Sequence, residues 1–237
     1  MIELIDLTKK FGDFSAVNSV NLDIQRGNIT AFLGPNGAGK TTTLKMLTGL
    51  LKPTSGRILV DQIEFESESS DIKKKISYIP DFPFLYEYLT GREFLSFVGA
   101  INKIGTDRFN LNRDEYLETF NIQDIQHNLI KTYSHGLKQR LVFCSAFLKD
   151  PEILIIDEPM VGLDPKTSSI FKNILKRFAL SGGTVFLSTH QLKVAEELAD
   201  YIAIINKGSI IAKGNTKDLL AQNGKQSLEE YFLKLTD

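Results

Sequence analysis

The chain has 237 residues, 42% of them hydrophobic, and 28 Lys and Arg against 29 Asp and Glu give a net charge of −1. That length and apolar content suffice for a buried core within one domain, while the near-zero charge gives no electrostatic case for nucleic acid as a main partner. The amino terminus lacks the basic-then-apolar layout of a secretory leader, and no apolar run approaches the roughly 18–20 residues that span a bilayer, so a soluble protein is expected, with any membrane work done through a partner.

Ile2–Leu7, Val20–Ile24 and Ile29–Leu33 read as early strands. Directly after the third comes Gly34-Pro35-Asn36-Gly37-Ala38-Gly39-Lys40-Thr41, which fits G-x-x-x-x-G-K-[ST], and Thr42–Leu50 reads as the helix that follows. Glycines here let several backbone N–H groups converge on one anion, a geometry that Cβ atoms would obstruct. The helix behind them points its positive end at the same place. Lys40 is expected to reach the β- and γ-phosphates of a nucleoside triphosphate, and the Thr41 hydroxyl to ligate Mg²⁺. A glycine-rich turn that fits by chance is the bland alternative, and the order strand, motif, helix weighs against it. The nucleotide-binding set is therefore Gly34, Pro35, Asn36, Gly37, Ala38, Gly39, Lys40, Thr41 and Thr42.

Arg57–Val60 and Ile76–Ile79 are further strand candidates, and from about Leu89 to Lys149 the pattern turns helical. Thr90-Gly91-Arg92-Glu93 is a capping-box pattern opening Phe94–Ile101. Ser134 stands at an N-cap before Leu137–Leu148. Within that helix Cys144, a single cysteine, excludes an intramolecular disulfide and suits the cytosol; its apolar neighbours read it as buried filler. His127 lies in a polar stretch and is expected in solvent.

After Pro151 the alternation of strand and helix returns, with Ile153–Ile156, Pro165–Leu180, Thr184–Thr189, Leu192–Ala199 and Tyr201–Ile205. Asn206-Lys207-Gly208 reads as a hairpin turn into Ile210–Ala212, and Ser227-Leu228-Glu229-Glu230 caps a short final helix. Ile153–Ile156 has the look of a central parallel strand covered on both faces, and it runs into Asp157 and Glu158. Asp157 is expected to hold Mg²⁺ through an intervening water, and Glu158 to polarise an attacking water. Alone, this stretch also suits a core strand entering an acidic turn; beside a phosphate cradle the catalytic reading prevails. The organisation implies a parallel α/β core interrupted by a helical insertion; together with the family resemblance given next, the expected fold class is α/β, a P-loop NTPase with a mostly parallel central sheet, an antiparallel β subdomain and a helical insertion subdomain.

The order of five motifs, namely the cradle, Tyr133-Ser134-His135-Gly136-Leu137-Lys138-Gln139-Arg140, the carboxylate strand, Gly162-Leu163-Asp164-Pro165 and the strand-end His190, resembles the nucleotide-binding subunit of ATP-binding cassette (ABC) transporters. The resemblance covers the chain from Ile2 to about Leu235. It implies a single cassette, residues 1–237, with a core over about 1–80 and 150–220, a helical subdomain over about 85–149 and a C-terminal helix at 227–235. The signature and Tyr86-Glu87-Tyr88-Leu89-Thr90-Gly91-Arg92-Glu93 are most like bacterial exporters with a separate membrane subunit.

The resemblance implies roles as well. Phe11 would lie against adenine, with Phe14 as its rival, and either could instead be core. His190 would contact the γ-phosphate. Ser134 and Gly136 would reach the γ-phosphate of a second cassette, in a homodimer or a heterodimer, and Asp164 would bridge the two sites. A cytoplasmic position on the inner face of the membrane, held by a permease, is implied, with ATP and Mg²⁺ bound and no nucleic acid. Two positions depart from the family. His135 stands where the first signature glycine is usual, and Asp81 stands where a glutamine touches Mg²⁺ and the attacking water, so metal contact is expected while the coupling geometry is in doubt. The aromatics Phe82, Phe84, Tyr86, Tyr88 and Phe94, with Leu85, mark the expected docking place of the membrane subunit, or else core. A cytosolic ABC ATPase acting on ribosomes or DNA, and a subunit that binds ATP without turnover, are the other readings; the chain's single cassette and its Glu158 argue against them.

Overall fold

The computed structural model describes residues 2–66, 69–82, 84–222 and 228–236. Strands β1 (Ile2–Phe11) and β2 (Phe14–Ile24) form an antiparallel hairpin whose last rung pairs Phe11 with Phe14. Both strands run farther toward their turn than the apolar runs indicate, because that end mixes exposed residues with the buried Thr8, Ala16 and Val17 across register shifts that break the simple alternation. Strand β3 (Ile29–Leu33) is buried throughout and leads through the cradle into α1 (Lys40–Leu47). That helix ends short of Leu50 because Gly49 adopts φ of 70°, a left-handed residue that closes a helix at little cost.

Next come β4 (Ser55–Val60), the two-residue β5 (Ile63–Glu64), α2 (Ser70–Lys75) and β6 (Ile76–Ile79). Neither β5 nor α2 was expected; one is too short and the other too polar to show a period. The insertion carries α3 (Gly91–Ile101), α4 (Thr106–Thr119), a 3-10 turn at Ile130–Thr132 and α5 (His135–Phe147). The remaining elements are β7 (Ile153–Asp157), α6 (Pro165–Leu180), β8 (Thr184–Thr189), α7 (Leu192–Leu198), β9 (Tyr201–Asn206), β10 (Ser209–Asn215), α8 (Thr216–Gln222) and α9 (Leu228–Thr236). The capping role expected of Ser227 lies outside the described residues.

Two sheets result. One is antiparallel, in the order β2-β1-β4-β5; the other runs β10-β9-β3-β8-β7-β6, parallel except for the β9–β10 hairpin. Alternation along each central strand divides its side chains between two cores. Leu154, Ile156, Val185 and Leu187 face the helical insertion, α6 and α7, whereas Ile153, Ile155 and Phe186 face α1 and the antiparallel sheet. Phe120, Phe143 and Phe171 bind the insertion to α6, with the Phe143 and Phe171 rings 3.7 Å apart between centroids. Cys144 is buried there, and burial pushes its thiol well above the usual range. Among the described residues no helix is long and apolar enough to cross a membrane.

Candidate functional site

Parallel register gathers the site. Leu33 pairs with Thr189, Asp157 with Ser188, and Ile79 with Ile156, so the carboxyl ends of β3, β8, β7 and β6 lie side by side. The segments leaving them are the cradle, Thr189–His190, Asp157–Glu158 and Pro80–Asp81. A crevice beyond the carboxyl ends of parallel strands is where open α/β sheets bind ligands.

The cradle admits backbone at close quarters. A Cβ on Gly34 would stand 2.3 Å from the Ile205 carbonyl, and one on Gly39, whose φ is 107°, would stand 2.4 Å from the Ala16 carbonyl. Lys40, opening α1, is buried; its Nζ donates to the carbonyls of Gly34 at 2.7 Å and Pro35 at 3.2 Å and lies 3.4 Å from Glu158 Oε1. The first-turn amides of α1 have no helical partner by construction, which leaves them for an anion. Thr41 and Thr42 follow in that turn, with Thr41 exposed.

Asp157 is buried at the end of β7, where Oδ1 accepts a hydrogen bond from the Ser188 hydroxyl. Glu158 adopts φ of 48°, unusual for a residue with a Cβ. Such a backbone costs about 1–3 kcal/mol and persists only where its surroundings hold it. Here the Glu158 N–H donates to the carbonyl and the hydroxyl of Ser188, both at 3.2 Å. The turn aims Glu158 at two bases: Oε1 at Lys40, and Oε2 at His190 Nδ1, 3.0 Å away. Ser188 therefore positions both carboxylates. Sequence reading missed it, although a polar Ser-Thr-His ending on an apolar strand was the available signal.

Asp81 faces the same cluster. Burial raises its carboxyl above the usual range, the charges of Asp157 and Glu158 raise it further, and His190 and His135 draw it back. Among the described residues no three His, Cys, Asp or Glu side chains form a ready metal-ligand cluster. Magnesium does not demand one, since it takes one or two protein oxygen ligands together with substrate phosphates. The Thr41 hydroxyl and the Asp157 carboxylate are hard oxygen donors of that kind, so the residues fit.

The other expected residues sit elsewhere. Ser134 caps α5, its hydroxyl accepting from Leu137 N–H at 3.3 Å, and a Cβ on Gly136 would lie 3.7 Å from Asp164 Oδ2. Among the described residues no hydrogen bond joins Ser134 or Gly136 to the cradle. Phe11 and Phe14, 51% and 64% exposed, flank one turn, and the choice between them stays open. His127 is exposed.

The aromatic segment divides. Leu85 and Phe94 take the core alternative rather than facing a partner, because Leu85 turns inward beneath the segment and Phe94 lies on the inner face of α3. Phe82, Phe84, Tyr86 and Tyr88 are exposed and, with Phe97, line an open groove of about 930 Å³ that reaches His135 and Lys138. Tyr86 meets Phe84 and Phe97 edge to face, at 5.9 and 5.3 Å between centroids.

Residues 17–161 match the protein-family pattern described as ABC transporter, and residues 127–196 match one described as an AAA domain, putative AbiEii toxin. The daunorubicin resistance ATP-binding protein DrrA3 of Streptomyces coeruleorubidus is 34% identical over 221 residues, which cover 93% of this chain and 70% of that protein. The bacitracin transport ATP-binding protein BcrA of Bacillus licheniformis is 38% identical over 226 residues, covering 95% and 73%. A solved ATP-binding subunit of an ABC transporter superposes with a TM-score of 0.91 at 30% identity over the whole of both chains. A dimeric ATP-binding cassette in a post-hydrolysis state, bound to ADP and Pi, superposes with a TM-score of 0.82 at 26% identity, covering 91% of this chain and 99% of that one.

Proposed function

The chain belongs to the ABC transporter ATP-binding family, and from that premise we propose that it hydrolyses MgATP to drive export through a separate membrane-spanning subunit. It is an ATP-binding ATPase. The observation that carries the proposal is the convergence of Lys40, Asp157, Glu158 and His190 at the carboxyl ends of the central parallel strands, beside a loop whose glycines let it pack closely on the neighbouring backbone. The likeness to drug-resistance and bacitracin-transport subunits supports export.

In this reading Gly34 to Thr42 wrap the phosphates, with Lys40 exchanging its carbonyl partners for β- and γ-oxygens and Phe11 lying against the base. Thr41 and Asp157 would hold Mg²⁺, with Asp81 beside them; bound there, the ion would neutralise charge on the phosphate oxygens. Glu158 orients and deprotonates the attacking water, and His190 steadies Glu158 and the γ-phosphate. Phosphoryl transfer gains mainly from such positioning and charge neutralisation. Ser134 and Gly136 complete the site of a second cassette, and Asp164 lies between the two sites.

The cassette comprises a core at about 1–80 and 150–220 with the helical subdomain at about 85–149, and it sits on the cytoplasmic face of the membrane. The groove of Phe82, Phe84, Tyr86, Tyr88 and Phe97 docks the membrane subunit, since exposed aromatics around a hollow are typical anchors for a partner segment.

Glu158→Gln tests this. Nucleotide binding should persist while turnover falls by a factor on the order of 10²–10⁴, the loss expected for a positioned base. MgATP should then shift the variant from monomer to dimer on size exclusion. Wild-type turnover would place the base elsewhere.

A further inference from the structure

His135, at the first position of α5, is a side chain set between two parts of the molecule, the aromatic groove and the turn that follows Glu158. Its imidazole lies over Gly162: a Cβ on that glycine would stand 3.2 Å from Cε1 and 3.4 Å from Nδ1. The ring thus fills the space that a side chain at 162 would take. Gly162 itself has φ of 74°, which glycine adopts without steric cost. On its other side His135 lines the aromatic groove with Phe82 and Lys138, and Lys138 donates to Glu87 Oε1 in the groove wall.

The turn under the ring starts at the catalytic carboxylate. Val161 N–H donates to the Glu158 carbonyl at 3.4 Å, and Leu163 N–H to that of Met160 at 3.5 Å. At its far end Asp164 accepts from the N–H and hydroxyl of Thr167, and Arg140 of α5 donates to that same hydroxyl at 2.6 Å. Helix α5 therefore holds the turn at two points, His135 above Gly162 and Arg140 beyond Asp164. Close-packed groups transmit displacement because a gap of even 0.5–1 Å forfeits roughly a quarter to a half of the contact energy.

We propose that His135 is a positioning residue that joins the aromatic groove to the Gly162–Asp164 turn, so that displacement of either displaces the other. A glycine at this position would remove the ring above Gly162 and leave, of these two points on α5, only Arg140. The consequence for transport rests on the docking reading above: a partner segment in the groove would press on His135 and, through the turn, on Glu158.

The chain contains no tryptophan, so Tyr86→Trp places a single fluorescent probe in the groove of the full-length protein. Its emission is compared with and without MgATP in three backgrounds: His135, His135→Gly and His135→Phe. A nucleotide-dependent shift is expected with His135, lost with glycine and restored by the flat ring of phenylalanine, while calorimetry gives the same MgATP affinity throughout. Hydrogen exchange at the Val161, Gly162 and Leu163 amides should rise by about tenfold or more in His135→Gly, as local opening becomes easier. If glycine prevents folding, His135→Asn is read in the same way. An equal shift in the glycine variant, or no shift with His135, overturns the proposal. The readout uses no partner, so the two readings fail separately: a Tyr86→Glu chain that still recovers its membrane subunit overturns the docking reading and leaves the shift untouched.

Discussion

At the scale of single residues the site is an arrangement of charges. Lys40 is held between two carbonyls and Glu158, with 6% of its side chain exposed, so its ammonium is directed by the fold before any phosphate arrives. It is also the one cation in the stretch from Gly34 to Thr42. Lys40→Ala should therefore weaken MgATP binding by a factor on the order of 10² or more, since hydrogen bonds to charged groups contribute about 1.5–3 kcal/mol each. Calorimetry checks this, and unchanged affinity would refute the cradle. The glycine-and-lysine signal was legible because its residues are consecutive and their chemistry depends on local backbone. Ser188 was not, because its hydroxyl matters only through a strand brought beside it from 31 residues away.

At the scale of elements, caps and registers decide the outcome. The box at the start of α3 is present in full: Thr90 accepts from Glu93 N–H at 3.2 Å, and Glu93 Oε2 accepts from Thr90 N–H at 2.8 Å. Asp164 does similar work for α6. The Thr167 hydroxyl, then the Thr167 N–H, hold its carboxyl below the usual value of 3.8. A carboxyl whose folded pKa is depressed adds stability that is full above its unfolded pKa and lost as pH falls through the folded value. Asp164→Ala should thus melt lower than wild type at pH 7, and the two melting curves should converge as pH drops below 3.8. A constant gap down to the lowest pH would show that the loss is packing alone. Helix α6, whose apolar face repeats, and β8, a short apolar run buried on both faces, lie where their sequences place them. Helix α2 and strand β5 were invisible because six and two residues cannot display a period.

At the scale of the molecule, catalysis is divided between copies in the proposed reading. Ser134 and Gly136 lie at the start of α5 among neighbours from the Asp164 turn, while the cradle opens at the carboxyl end of β3. ATPase rate should then rise more than linearly with protein concentration when no partner is present. Ser134→Arg should abolish turnover while MgATP affinity in calorimetry stays intact. A rate proportional to concentration far below the dimerisation constant would argue for a self-sufficient monomer.

The sequence by itself determined the parallel core and the helical insertion, and it singled out the residues proposed here for the phosphates, the metal and the attacking water, because each is announced by neighbours within about ten positions. Tertiary structure alone decided which of those residues meet. It brought Glu158 between Lys40 and His190, residues 118 and 32 positions away in sequence, by setting β7 beside β8 and β8 beside β3. It also sorted the aromatic segment, sending Leu85 and Phe94 inward and leaving Phe82, Phe84, Tyr86 and Tyr88 around a groove. Burial depends on what packs from distant parts of the chain, and no local pattern of hydrophobicity carries that information.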